Sequence, residues 1–113
     1  MMIDKLKKYE MDFTDAIFIE KIEEAYKKIE AKIQNRENYD VLKNSEKIKY
    51  ECNIIKDFIN TIFGEKASQD IFGESYSFGK HLQVMEYITE NMNQSTDTLT
   101  KKTAKYNPSR IKR

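Results

Sequence analysis

The sequence predicts an all-α fold, a small helical bundle of three main helices plus one short helix, and two observations carry that prediction. Apolar residues recur at three- and four-residue spacing through most of the chain, the repeat that lines one face of a helix. The tripeptide Ile-Phe-Gly occurs twice, as Ile62-Phe63-Gly64 and Ile71-Phe72-Gly73, nine residues apart at the end of the longest apolar pattern. Each copy reads as a helix that buries a bulky pair and stops at glycine, which enters the left-handed C′ conformation without steric cost. A composition of 39% hydrophobic and 35% charged residues fits helices with one buried stripe and a solvated opposite face.

Residues 1–13 are expected to form an N-terminal arm, extended or a short strand. Tyr9-Glu10-Met11-Asp12-Phe13 alternates apolar and acidic residues, the pattern of a half-buried strand. A lone strand has no partner in the rest of this chain, so pairing would fall to another copy.

Residues 14–95 are expected to form the helical domain. Thr14 or Asp15 can cap the first helix by accepting a free backbone N–H, and with Thr14 as N-cap, Phe13 and Phe18 take the positions of a hydrophobic staple. Ile19, Ile22, Tyr26, Ile29 and Ile33 then recur at spacings of 3, 4, 3 and 4, a coiled-coil-like seam. The opposite face carries Glu20, Lys21, Glu23, Glu24, Lys27, Lys28 and Glu30. Its favourable pairs, Glu23/Lys27 and Glu24/Lys28, contribute only ~0.3 kcal/mol each.

Gln34-Asn35-Arg36-Glu37-Asn38 breaks the seam, and a turn is expected there. The second helix runs to Phe63 with Val41, Ser45, Ile48, Cys52, Ile55, Ile59 and Ile62 at heptad spacing, widened by Ile54, Phe58 and Phe63. Its polar first half leaves a start near Ser45 open. A short helix ends at the second Ile-Phe-Gly. A last helix follows with Phe78, Leu82, Met85, Ile88 and Met92 on one stripe, fading at residues 91–96. Residues 96–113 are expected to be a flexible basic tail, or helical only when bound, because Thr, Lys and Asn dominate there apart from Leu99.

Formal charge is +1, but residues 101–113 hold six of the twenty Lys and Arg and none of the nineteen Asp and Glu. An acidic body therefore carries a tail of Lys101, Lys102, Lys105, Arg110, Lys112 and Arg113. Cys52 is the single cysteine, so no internal disulfide can form, and its place in an apolar pattern makes it a small core residue. No stretch approaches the ~18 apolar residues a membrane span needs. A cytoplasmic protein with no membrane partner is expected.

No residue pattern points to catalysis or to a cofactor or metal. His81, the single histidine, reads as an ordinary, partly exposed side chain, since no His, Cys or carboxylate stands at ligand spacing from it. The glycines are too sparse for a phosphate loop, and the paired carboxylates lie on solvated faces. Phe13, Phe18, Tyr26, Phe58, Phe63, Phe72 and Phe78 fit core packing, whereas Tyr50, Tyr76 and Tyr106 suit an interface. The basic tail could neutralise phosphates, but the acidic body disfavours nucleic acid.

Taken together, Cys52…Asp57-Phe58…Ile62-Phe63-Gly64…Ile71-Phe72-Gly73, the ending Lys105-Tyr106-Asn107-Pro108-Ser109-Arg110…Lys112-Arg113 and the opening Met11-Asp12-Phe13-Thr14-Asp15-Ala16 resemble a family of small helical proteins from phages and prophages of Gram-positive bacteria. Its members are similar in size and kind to tail-assembly chaperones. The resemblance implies a protein that coats or delivers a tail component of tape-measure type during virion assembly. Where an N-terminal hairpin with a central Asn-Gly would be usual, this chain has Asp4-Lys5-Leu6-Lys7-Lys8.

The expected role is therefore binding of another polypeptide, with homo-oligomerisation left open. The surfaces expected to carry it are the seam residues Ile19, Ile22, Tyr26 and Ile29, the aromatic corner Phe63 and Phe72, Tyr76, and the basic tail. The competing expectation is a phage-encoded regulator or inhibitor that binds nucleic acid or a host defence protein.

Overall fold

The computed structural model describes residues 2–103, and among them every regular element is helical. These are α1 (Met2–Leu6), α2 (Ala16–Asn35), α3 (Asn44–Phe63), α4 (Ala67–Phe72) and α5 (Phe78–Thr103), with one 3-10 turn at Tyr39–Val41. The three long helices and the short α4 are those the spacing predicts, and no strand occurs among the described residues.

α2 and α3 form an antiparallel hairpin. Phe18 meets Phe63 with ring centroids 6.0 Å apart, and Tyr26 meets Phe58 at 5.1 Å. Toward the turn, Lys32 pairs with Asp57, and Arg36 donates to Glu51 at 2.9 Å while lying 4.1 Å over the Tyr39 ring. α3 is the central rod, packed against α2, α4 and α5, and α1 lies across α4 and α5. The core gathers Leu6, Ile22, Ala25, Ile55, Phe58, Ile59, Ile62, Ile71, Phe72, Val84 and Ile88, all buried. The heptad stripe of α3 is buried only from Cys52 onward. Ile48 in the first half of α3 and Val41 in the 3-10 turn before it remain exposed.

α2 starts at Asp15, whose carboxylate accepts the Phe18 backbone N–H at 3.0 Å. Phe13 and Phe18 still meet edge to face at 5.2 Å, one register step from the expected staple. Thr14 instead donates to the Asp12 carboxylate through N–H and Oγ1, at 2.9 and 2.5 Å, which holds the Asp12 pKa below its ordinary value. α3 begins at Asn44, one residue before Ser45, and Glu46 reaches back to the Lys43 N–H at 2.9 Å.

Both glycine stops have positive φ, +113° at Gly64 and +59° at Gly73. Their ψ values of 162° and −131° lie outside the left-handed helical well, in regions that glycine alone enters readily.

The N-terminal expectation is corrected. Residues 2–6 are a helical turn that buries Leu6 completely, and residues 7–15 cross to α2 without forming a strand. The alternation of Tyr9, Met11 and Phe13 is real as burial, since all three lean on the core while Glu10 and Asp12 face water. It does not signal strand pairing. Tyr9 is fixed by a tilted ring contact with Phe63, centroids 5.2 Å apart, and by donating to Asp70 at 2.8 Å.

The helix also continues where a flexible tail is expected. α5 carries on unbroken through residues 96–103. A helix already nucleated by packing extends at low cost, Ser95 Oγ donates to the Phe13 carbonyl at 2.7 Å, and Lys101 and Lys102 complement the dipole in the last turn.

Candidate protein-binding groove

Between the first two turns of α2 and the last three turns of α5 the two helices part, leaving an open groove of about 600 Å³. Phe13, Ala16 and Ile19 line one wall, and Met92, Ser95, Thr96, Leu99 and Thr103 the other. The α5 residues recur at helical spacing, so a single stripe faces the gap. Leu99 is 62% exposed on that wall. The Ser95 bond to the Phe13 carbonyl ties the α5 wall to the segment that enters α2. Asp15, Glu20 and Glu23 stand on the α2 side and Lys102 on the α5 side. Apolar walls with charge along the edges are a surface for an amphipathic segment.

Of the binding residues the sequence singles out, Ile19 and Lys102 line this groove. Ile22 and Phe72 are buried in the core and unavailable to a partner. Tyr26 is partly buried, meets Phe58 edge to face and shares a 2.6 Å hydrogen bond with Thr89. Ile29 and Phe63 pack against the core from its edge. The seam thus serves α2's own docking on α3. Tyr76 is exposed, but far from the groove residues in sequence and held 3.9 Å from the Lys56 ammonium. Lys101 and Lys102 are exposed in the last turn of α5, whereas Lys105, Arg110, Lys112 and Arg113 lie outside the described residues. The α5 wall was missed because Leu99 stands alone in a polar run. Its spacing of seven from Met92 is the signal that could have found it.

His81 is buried, contrary to the partly exposed reading. Its ring stacks on Phe72, Nδ1–H donates to the Ser77 carbonyl at 2.7 Å, and Nε2 has no partner among the described residues. Cys52 is likewise buried, and burial pushes its thiol pKa up, away from the thiolate a nucleophile needs. Among the described residues no three His, Cys, Asp or Glu are grouped to hold a metal ion, and no helix is long and apolar enough to cross a membrane.

The model of the DUF6673 family, a family of unknown function, matches residues 5–113. The chain belongs to that family. The DUF6673 match takes in both walls of the groove, the two glycine stops and all of α2 to α5. It begins at Lys5, so it also includes Leu6, the core residue of the first helix. No curated protein and no solved structure matches the chain.

Proposed function

We propose that this protein is a non-catalytic binder of another polypeptide, and that the groove between α2 and α5 receives an amphipathic helix of that partner. The observation that carries the reading is the apolar stripe of α5, with Met92 and Leu99 facing Phe13 and Ile19 across a gap the chain's own described helices leave open. A partner helix with apolar residues at i, i+3, i+4 and i+7 would complete a third side of that gap. Its charged outer face would keep the complex in solution. The resemblance in the sequence supports a narrower version. The partner would be a long helical phage tail component of tape-measure type, handled in the host cytoplasm by a tail-assembly chaperone.

A fluorescein-labelled helical peptide with a leucine stripe, titrated with the full chain and followed by anisotropy, tests the general reading. Saturable binding with hydrogen-exchange protection over residues 16–23 and 92–103, weakened at least about tenfold by Leu99→Gln, is the expected result. Binding that protects only other segments would refute it. For the narrower version, co-expression should keep a tape-measure protein soluble, and the same substitution should abolish that effect.

A further inference from the structure

We propose that the groove selects a helix carrying lysine or arginine along the flank that faces α2. This rests on the polypeptide-binding reading and narrows it to one chemical class of partner.

The basis is the asymmetry of the two rims. Three carboxylates, Asp15, Glu20 and Glu23, border the groove on the α2 side, and the α5 side brings one cation, Lys102. Asp15 is already committed to the Phe18 N–H as helix cap. Glu20 and Glu23 are exposed and, among the described residues, have no ion-pair partner, so the Glu23/Lys27 pair expected from spacing is not made, and Lys102 has none either. Acidic and basic groups elsewhere on α2 and α3 do find each other where the helices touch, as Lys32 with Asp57 and Arg36 with Glu51. Glu24 and Glu30 of α2 also lack an ion pair among the described residues, but only Glu20 and Glu23 of the unpaired glutamates on α2 border the groove.

A helix that lays its apolar stripe on Ile19, Met92 and Leu99 brings its flanking residues level with Glu20 and Glu23. Those glutamates are three residues apart, hence neighbours on the helix surface. Cations one turn apart on the incoming flank meet both. A carboxylate flank would instead add like charge at the same edge, and that repulsion is the stronger part of the selection. Lys102 on the opposite rim favours an acidic or neutral second flank, so the two rims also decide which way round the helix lies.

Three labelled peptides with one leucine stripe and Lys, Gln or Glu on a single flank, titrated with the full chain by anisotropy, test the assignment. The Lys peptide should bind about tenfold more tightly than the Glu peptide in ~0.05 M salt, the gap shrinking toward about twofold in ~0.5 M salt. The Glu20→Lys/Glu23→Lys chain, checked for an unchanged melting temperature, should reverse the order. Equal affinity for all three peptides overturns the proposal and leaves the groove reading standing. Failure of every peptide to bind removes the groove reading itself. A dimer by light scattering that Leu99→Gln dissociates assigns the groove to a second copy and overturns the proposal.

Discussion

The imidazole of His81 lies flat on the Phe72 ring, centroids 3.9 Å apart and planes within 7°. This contact joins the start of α5 to the end of α4, and it places a titratable group where ionisation is costly. Desolvation chiefly, with the Lys56 ammonium adding to it, holds the His81 pKa below 6.5, against a smaller opposing effect of the Ser77 carbonyl. The unfolded chain therefore takes up a proton that the folded chain refuses. Stability falls as pH drops below 6.5 toward the folded-state value, by at most about 1.4 kcal/mol per pH unit from this one group. His81→Phe should remove that slope. The Ser77 carbonyl keeps its bond from the His81 backbone N–H at 3.1 Å, so the variant should stay within ~1 kcal/mol of the parent at pH 7.5. Urea midpoints from pH 7.5 to 5.5 measure both. Parallel curves for the two proteins would show that His81 is not the group responsible.

Leu6 has no exposed surface, although the α1 that carries it is only five residues long. Such a helix has no stability of its own, so α1 exists because Leu6 is packed against α4 and α5. Leu6→Ala should cost about 2–5 kcal/mol and raise amide exchange through residues 2–9. Tyr9→Phe, which loses only the exposed bond to Asp70, should cost less than about 1 kcal/mol. If both variants denature like the parent, α1 is not part of the cooperative core.

Gly73 adopts φ +59° and ψ −131°, and a Cβ built there meets nothing within 4 Å among the described residues. The cost of Gly73→Ala is therefore purely one of backbone conformation, about 1–3 kcal/mol. Gly79, equally open and inside the first turn of α5, offers the control. Gly79→Ala should be neutral or stabilising by up to about 1 kcal/mol. Thermal melts should therefore show a lowered midpoint for Gly73→Ala and an unchanged or raised one for Gly79→Ala.

These elements also mark how far the sequence can be read. The seam of α2 and the stripe of α3 were legible because burial on one helix face forces a three- and four-residue repeat, and both Ile-Phe-Gly stops were legible because a positive φ demands glycine. Residues 9–13 misled because the alternation that signals a strand also arises when an irregular segment crosses a core and leans on it with every second side chain. The groove was almost invisible. It is a relation between Ile19 and Leu99, eighty residues apart, and periodicity records which face of one helix is apolar without saying which other helix fails to cover it. For that reason the seam residues Ile22 and Tyr26 looked like a docking surface, although Ile22 belongs to the chain's own core and Tyr26 is held by Phe58 and Thr89 of the same chain.

Ile88 and Leu99 put the difference between core and groove to a direct test, since both are branched aliphatic residues on the apolar stripe of α5. Ile88 is wholly buried in the core cluster, while Leu99 is 62% exposed. Ile88→Ala should therefore cost about 2–5 kcal/mol, by lost transfer energy and an unfilled cavity. Leu99→Gln keeps a good helix former at a wet site, and should change stability by less than about 0.5 kcal/mol. A single exposed leucine is ordinary, so exposure alone says little about Leu99. Its meaning comes from facing Ile19 across the groove, and the two effects separate cleanly when unfolding and peptide anisotropy are measured on the same samples. Leu99→Gln should leave the unfolding midpoint in place and weaken the peptide about tenfold or more. A loss of several kcal/mol on that substitution would mean instead that the last turns of α5 are packed into the fold, and that the gap beside them is closed in solution.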